Sequence, residues 1–308
     1  MAELDRRTFI VSAAGFAGAG ALLAACGDDG DASPTSTTTT TLLAQNGDEP
    51  GALDIPQMLP AFPEFAMVHS VPQRVAYALH DGIDIMRANA PDSINLVLRF
   101  GDEVIAAEEL ARRDVGTPTP YYSLHFTPPG AGVYTSVMTQ GDLTTEHMFR
   151  VGEPGSTDVP QPGDILPAIA TATFDDAMGV DPLCTRSKPC PFHTTDLVDA
   201  LDAGDKPIVL SIATPGFCQT AICGPVINLL IDAAAERDDL HIVHAEVYVD
   251  PHNDPGVATG TGEFTPVVAA YALPYEPVLF VAQADGTILR RLDAVYDGSE
   301  IAEALALV

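Results

Sequence analysis

The chain is 308 residues long and carries 43 Asp and Glu against 14 Lys and Arg, for a net charge of −29. Nucleic-acid binding needs clustered cations to neutralise phosphates, and so sparse a set excludes it as a function. The acidic residues are scattered without an uninterrupted run, as on a solvated surface rather than an acidic interaction tail.

In chain order, Arg6-Arg7-Thr8-Phe9-Ile10 and the apolar, Gly/Ala-rich run to Ala25 come first. They resemble a twin-arginine export signal, and Leu23-Ala24-Ala25-Cys26 resembles a lipobox. The resemblance implies a signal peptide over residues 1–25, lipidation of Cys26, and a mature chain held by its lipid at the outer face of the cytoplasmic membrane. The competing reading is a transmembrane anchor, for which the run is short and Gly-rich against the ~20 apolar residues of a span. Residues 26–60, with the tract Thr35–Thr41, lack apolar periodicity and are expected to form a disordered Ser/Thr/Gly-rich tether.

From residue 61 to 152 the texture changes to short β-prone runs: Arg74–Leu79, Ile94–Phe100, Glu103–Ala107, Tyr121–Phe126, Val133–Thr139 and Thr144–Val151. Turn signals separate them, among them Pro128-Pro129-Gly130 and Gln140-Gly141-Asp142. Six or seven such strands lead us to expect an all-β, immunoglobulin-like sandwich, here without cysteines, serving as a spacer or docking module. Residues 153–195 are expected to be a Pro/Gly-rich linker that carries a cysteine pair, Cys184 and Cys190. The sandwich and the C-terminal part are accordingly expected to be separate folding units.

Residues 196–308 are expected to form an α/β domain. Pro207–Ala213 is a continuous apolar run of strand length, suited to a strand buried on both faces. Thr214-Pro215-Gly216 stops it, and Ile222, Val226, Leu229, Leu230 and Ala233 then recur at helical spacing. Pro225 is tolerated only in a first turn, so the helix starts near Ala221 or later. Inside one helix, Cys218 and Cys223 would sit about 8 to 9 Å apart, too far for a disulfide. With Cys218 in the loop a bridge becomes feasible, and Cys223 at the helix N-terminus lies where free N–H groups lower a thiol pKa. Leu240–Val249, Pro277–Val281 and Thr287–Leu292 read as further strands, and Pro266–Leu273 and Glu300–Leu307 as helices.

A strand running into a cysteine loop and then a helix, within the order βαβαββα, resembles the thioredoxin-like superfamily. The resemblance covers the C-terminal third of the chain. It implies an α/β thioredoxin-like domain behind the sandwich, with Cys218 and Cys223 as the redox pair and Pro277 as a cis-proline packed against them. Their loop has four residues between the cysteines, where thioredoxins have two. Thr214-Pro215-Gly216, Cys218 and Cys223-Gly224 are also similar to the bacterioferritin comigratory branch of peroxiredoxins. Here Phe217 is inserted before the cysteine, and Glu276 stands where those enzymes keep an arginine. A third class resembles exported copper-delivery proteins, with His244 or His252 completing a thiolate site for Cu(I).

Setting Cys26 aside, four of the five cysteines remain, in two close pairs. An exported chain meets an oxidising compartment, so Cys184 and Cys190 are expected to form a disulfide that staples their loop, the alternative being a redox partner to the other pair. The expectation for the whole is a membrane-anchored thiol–disulfide oxidoreductase in which Cys218 attacks and Cys223 resolves. Its partners would be protein thiols or disulfides and a membrane electron donor, with no metal and no cofactor. Peroxidase and copper-binding roles stand as alternatives.

Overall fold

The computed structural model describes residues 56–141, 143–218 and 222–308. The expected signal peptide, Cys26 and the tether up to residue 55 lie outside the described residues. The part that is described is a β-rich sandwich followed by a small α/β domain, and among the described residues no helix is long and apolar enough to cross a membrane.

The sandwich comprises β1 (Gln57–Pro60), β2 (Gln73–His80), β3 (Ser93–Phe100), β4 (Glu103–Ala111), β5 (Tyr122–Phe126), β6 (Gly132–Gln140) and β7 (Leu143–Val151). One sheet has the order β1-β2-β5 and the other β4-β3-β6-β7, with every neighbour antiparallel. Alternation decides which side chains meet between them. Ile94, Leu96 and Leu98 of β3 face Val75, Tyr77 and Leu79 of β2 across one apolar core. β1 was not expected. It pairs Gln57–Pro60 with Tyr77–His80, so the last four residues assigned to the tether belong to the fold.

The second domain is built from α1 (Leu197–Ala203), β8 (Ile208–Ile212), α2 (Cys223–Ala233), β9 (His241–Ala245), α3 (Pro266–Ala270), β10 (Val278–Ala282), β11 (Ile288–Asp293) and α4 (Gly298–Leu305). Its sheet has the order β11-β10-β8-β9, with β8 and β9 parallel and the other neighbours antiparallel. All five residues of β8 and of β10 are buried, because helices or the sandwich cover both faces of these central strands. α1, also unexpected, is capped by Asp196, whose side chain accepts from the N–H of Val198 and Asp199, and it ends at Gly204 in the left-handed region, φ 55°.

Residues 153–195 are not a free linker. Gly163 N–H donates to Ile288 O and Ile288 N–H to Asp164 O, fastening the segment to the exposed edge of β11. Val159 and Leu166 enter the core of the α/β domain, while Cys184, Cys190 and Phe192 lie beneath α2. A Pro/Gly-rich composition signals turns, and here each turn returns an apolar residue to the same core.

The two domains also pack against each other. β2 is buried on both faces: Val75, Tyr77 and Leu79 enter the sandwich core, while Arg74 and Ala76 face the α/β domain. Arg74 makes a two-pronged ion pair with Glu300 of α4, its Nε 2.9 Å from Oε1 and its Nη2 2.6 Å from Oε2. The guanidinium also donates to the carbonyls of Asp293 and Val295, and the Glu300 carboxylate accepts from Tyr121 and Ser123. Burial alone would push the Glu300 carboxyl up, but Arg74 and the hydrogen bonds hold it well below the usual carboxylate range.

Candidate redox site and the neighbouring cysteine–histidine cluster

The apolar run of β8 ends at Ile212, and Thr214 to Phe217 form a turn that leads to Cys218. Thr214 is buried there. Its Oγ1 accepts from Val247 N–H, and its own N–H donates to the Glu276 carboxylate. α2 starts at Cys223, and Pro225 falls in its first turn, where no N–H is missed.

Cys218 and Cys223 are joined as a disulfide, with their Cα atoms 5.9 Å apart. The two sulfurs differ in setting. Cys223 is wholly buried, in the core beneath α2, whereas Cys218 is only half-buried. Cys223 N–H, at the first residue of the helix, points to Cys218 Sγ at 3.4 Å. That donor and the positive end of the helix stabilise charge on the more open sulfur.

Glu276 precedes Pro277 at the entry to β10, and the peptide between them is cis. A carboxylate oxygen of Glu276 and both sulfurs lie within 4.8 Å of one another. Burial pushes the Glu276 carboxyl up to about 8, although the Thr214 N–H acts to lower it. Glu246, Tyr248 and Tyr296 are the other titratable groups that feel it. The sequence marks Glu276 only as a charge of the wrong sign for a peroxidase. Its position directly before a proline that enters a buried strand is the signal that places it at the disulfide.

Cys184 and Cys190 do not form the expected staple. Both are free thiols, and both turn toward His244 on β9. Cys190 Sγ lies 3.3 Å and Cys184 Sγ 4.0 Å from His244 Nδ1, while His193 Nε2 is 3.1 Å from the same nitrogen. Cys190 N–H also donates to Cys184 Sγ. Each sulfur lies beside its partner sulfur and an imidazole, and no bond joins the two sulfurs. The hydrogen bond from Cys190 favours Cys184 as thiolate, assisted by His193 and His244, and the same contact raises Cys190.

His244 is therefore not a third ligand for Cys218 and Cys223. His252 is not one either: its ring packs edge-on against Phe217 at 4.9 Å, and among the described residues Glu276 is what completes a group with that pair. His193 had no place in the sequence reading. The spacing Cys184-x5-Cys190-x2-His193, followed by an inward-facing histidine on a strand, is the pattern that could have revealed it.

The two cysteine sites share a wall. Thr185 N–H and Oγ1–H donate to Glu246, and Thr185 Oγ1 accepts from Gly216 N–H at 2.9 Å. A Cβ on Gly216 would sit 2.7 Å from Thr185 O, so only glycine lets the turn before Cys218 approach the Cys184 loop so closely.

No family model and no curated protein sequence matches the chain. Among solved structures it is similar to an engineered protein, at 19% identity over 32% of this chain and 20% of that one, with a TM-score of 0.24. It is also similar to a hypothetical protein, PH1083, from Pyrococcus horikoshii OT3, at 12% identity over 35% of this chain and 95% of that one, TM-score 0.22. A third is the superoxide reductase (neelaredoxin) of Ignicoccus hospitalis, at 13% identity over 32% of this chain and 79% of that one, TM-score 0.21. The chain spans about a fifth of the engineered protein. Likenesses this slight carry no argument about fold or activity.

Proposed function

We propose that the protein is a thiol–disulfide oxidoreductase of thioredoxin-like build, acting through Cys218 and Cys223 on protein thiols or disulfides. The observation that carries this reading is the asymmetry of the bridge: a half-buried Cys218 at a helix N-terminus, a sealed Cys223, and a half-buried carboxyl beside both. The order β8-α2-β9-α3-β10-β11-α4 and a cis-proline at the entry to β10 support the thioredoxin-like reading of the domain, and the seven-stranded arrangement supports an immunoglobulin-like reading of the sandwich. Export and lipid anchoring through Cys26 belong to the same proposal, motivated by the twin arginines and the lipobox.

The exchange step follows from the geometry. A substrate thiolate attacks Cys218 Sγ, the less buried of the two sulfurs. The Cys218–Cys223 bond breaks, and Cys223 leaves as a thiolate that takes the proton of the neutral Glu276 carboxyl. A second substrate thiol then attacks the substrate sulfur of the mixed disulfide and releases Cys218 as a thiolate beneath the Cys223 N–H. The substrate is oxidised by two electrons and the protein is reduced by two. The reverse sequence reduces a substrate disulfide. A carboxyl near 8 is closely matched to an ordinary thiol near 8.5, so the proton passes in either direction with little cost.

Glu276→Gln keeps an oxygen for the Thr214 N–H but cannot carry the proton. Exchange is expected to slow by about a hundredfold, and its pH–rate profile should lose the inflection near 8. The same substitution has a stability signature. A carboxyl raised in the fold stabilises below its unfolded pKa, and that contribution is lost as pH rises toward about 8. Urea titrations should therefore show native stability falling from about pH 4.5 to 8, with a flatter profile in Glu276→Gln. Parallel profiles in the two proteins would remove Glu276 from the mechanism.

A further inference from the structure

We propose that Cys184, Cys190, His193 and His244 form a closed, four-coordinate zinc site, separate from the redox pair. Their exposures are 4%, 0%, 1% and 0%, so the four donors meet in a pocket with no opening for a fifth, exchangeable ligand. One donor atom from each residue lies within 4.8 Å of the other three.

The separations are those of a tetrahedron's edges. Zinc–sulfur bonds of about 2.3 Å and zinc–nitrogen bonds of about 2.05 Å at tetrahedral angles give N–N edges of roughly 3.3 Å, S–N edges of roughly 3.6 Å and S–S edges of roughly 3.8 Å. The observed N–N distance is 3.1 Å and the two S–N distances to His244 are 3.3 and 4.0 Å. Small adjustments within this pocket bring all four donors onto one centre.

The protonation pattern agrees. His244 Nε2 lies 3.0 Å from Ala213 O, an atom that can only accept, so the ring proton is on Nε2 and a lone pair on Nδ1 faces the cluster. A ligand imidazole held through its other nitrogen by a backbone carbonyl is the usual outer support of a zinc histidine. Phe174 packs edge-on against His193 at 5.7 Å, and Cys184, Cys190 and Phe192 belong to the apolar core under α2, which excludes water. Two thiolates bound to a divalent cation make the centre neutral, a charge state that such a core tolerates. Binding releases the protons of the two thiols and neither oxidises nor reduces them.

A closed site with no open position is structural. It pins residues 184–193, which otherwise contain no helix or strand, to the end of β9, and through Thr185 and Gly216 it fixes the wall of the redox turn.

The test uses the full chain carrying Cys218→Ser and Cys223→Ser. Metal held by the redox pair is thereby removed, and failure here leaves the exchange reading untouched. With the remaining thiols reduced, zinc is titrated against a chromophoric chelator and cobalt(II) is substituted. The expected result is one ion per chain, with thiolate-to-cobalt charge transfer and the intense visible bands of a tetrahedral centre. Adding Cys190→Ser or His193→Ala should weaken zinc binding by more than about a hundredfold. Should either variant fail to fold, the cobalt spectrum of the parent chain decides alone. No ion retained, a six-coordinate spectrum without charge transfer, or affinity unchanged by both substitutions would overturn the proposal. So would a chain that binds copper(I) stoichiometrically but leaves zinc free.

Discussion

Replacing Cys218 with serine is expected to abolish exchange, lowering turnover of a protein disulfide by at least about a thousandfold, because no other sulfur at this site reaches a substrate. Replacing Cys223 should lower steady turnover as far but by a different route. Cys218 still attacks, the mixed disulfide forms, and nothing resolves it. Mass spectrometry of the two variants after incubation with a disulfide-bonded protein should then show a covalent adduct on Cys223→Ser and none on Cys218→Ser. The asymmetry comes from burial: Cys223 is fully covered, while Cys218 is half-open and receives the helix-terminal N–H. Adducts on Cys218→Ser alone would reverse the roles.

Arg74→Ala is expected to cost about 3 to 5 kcal/mol of stability, a large part of the 5–15 kcal/mol typical of a folded domain. The side chains of Arg74 and Glu300 are 3% and 1% exposed, so truncation leaves a carboxylate in the interface with only Tyr121, Ser123 and His125 to hold it. Replacing both charges with apolar residues, as in Arg74→Met with Glu300→Leu, should recover much of the loss, since the penalty comes from the unpaired charge. Urea unfolding of the parent, Arg74→Met, Glu300→Leu and the double variant measures the coupling. Glu300 is depressed in the fold, so its contribution is present above its unfolded pKa and is lost as pH falls through the folded value. The native interface should therefore loosen in acid. A single-substitution cost below about 1 kcal/mol would show that the pair behaves like an exposed one.

Much of the scaffold was legible because its signals are local. The uninterrupted apolar run before Thr214 is β8, Pro225 places the start of α2 near Ala221 or later and the helix begins at Cys223, and the alternation of Ile94, Leu96 and Leu98 is the inner face of β3. The elements that were missed depend on partners far away in the chain. Gln57–Pro60 becomes a strand only because β2 offers it an edge, and a Pro/Gly-rich stretch becomes core because β11 and α2 cover it. The same holds for the sites. Cys218 and Cys223 announce themselves by lying at a strand–helix join, whereas the grouping of Cys184, Cys190 and His193 with His244 requires the parallel pairing of β8 with β9. An expected disulfide was the natural reading of two cysteines six residues apart, and of the two imidazoles beside them only His193 is local, while His244 comes from β9.

The domain interface was hidden for a related reason. Arg74 at the start of an otherwise apolar strand looks like an edge residue facing solvent, and only the return of α4 against that face converts it into a buried ion pair. Separate folding of the C-terminal domain was expected from composition, yet its Glu300 takes its counter-ion from the sandwich.

The central claim is that the Cys218–Cys223 bridge is a working redox pair, and its reduction potential tests this most directly. Equilibration of the full chain in graded glutathione buffers, followed by alkylation and mass analysis of the peptide that contains both cysteines, gives the midpoint. The account predicts a value between about −120 and −270 mV, the range of exchange-active pairs, whereas a midpoint below about −300 mV would mark an inert structural bridge and contradict it.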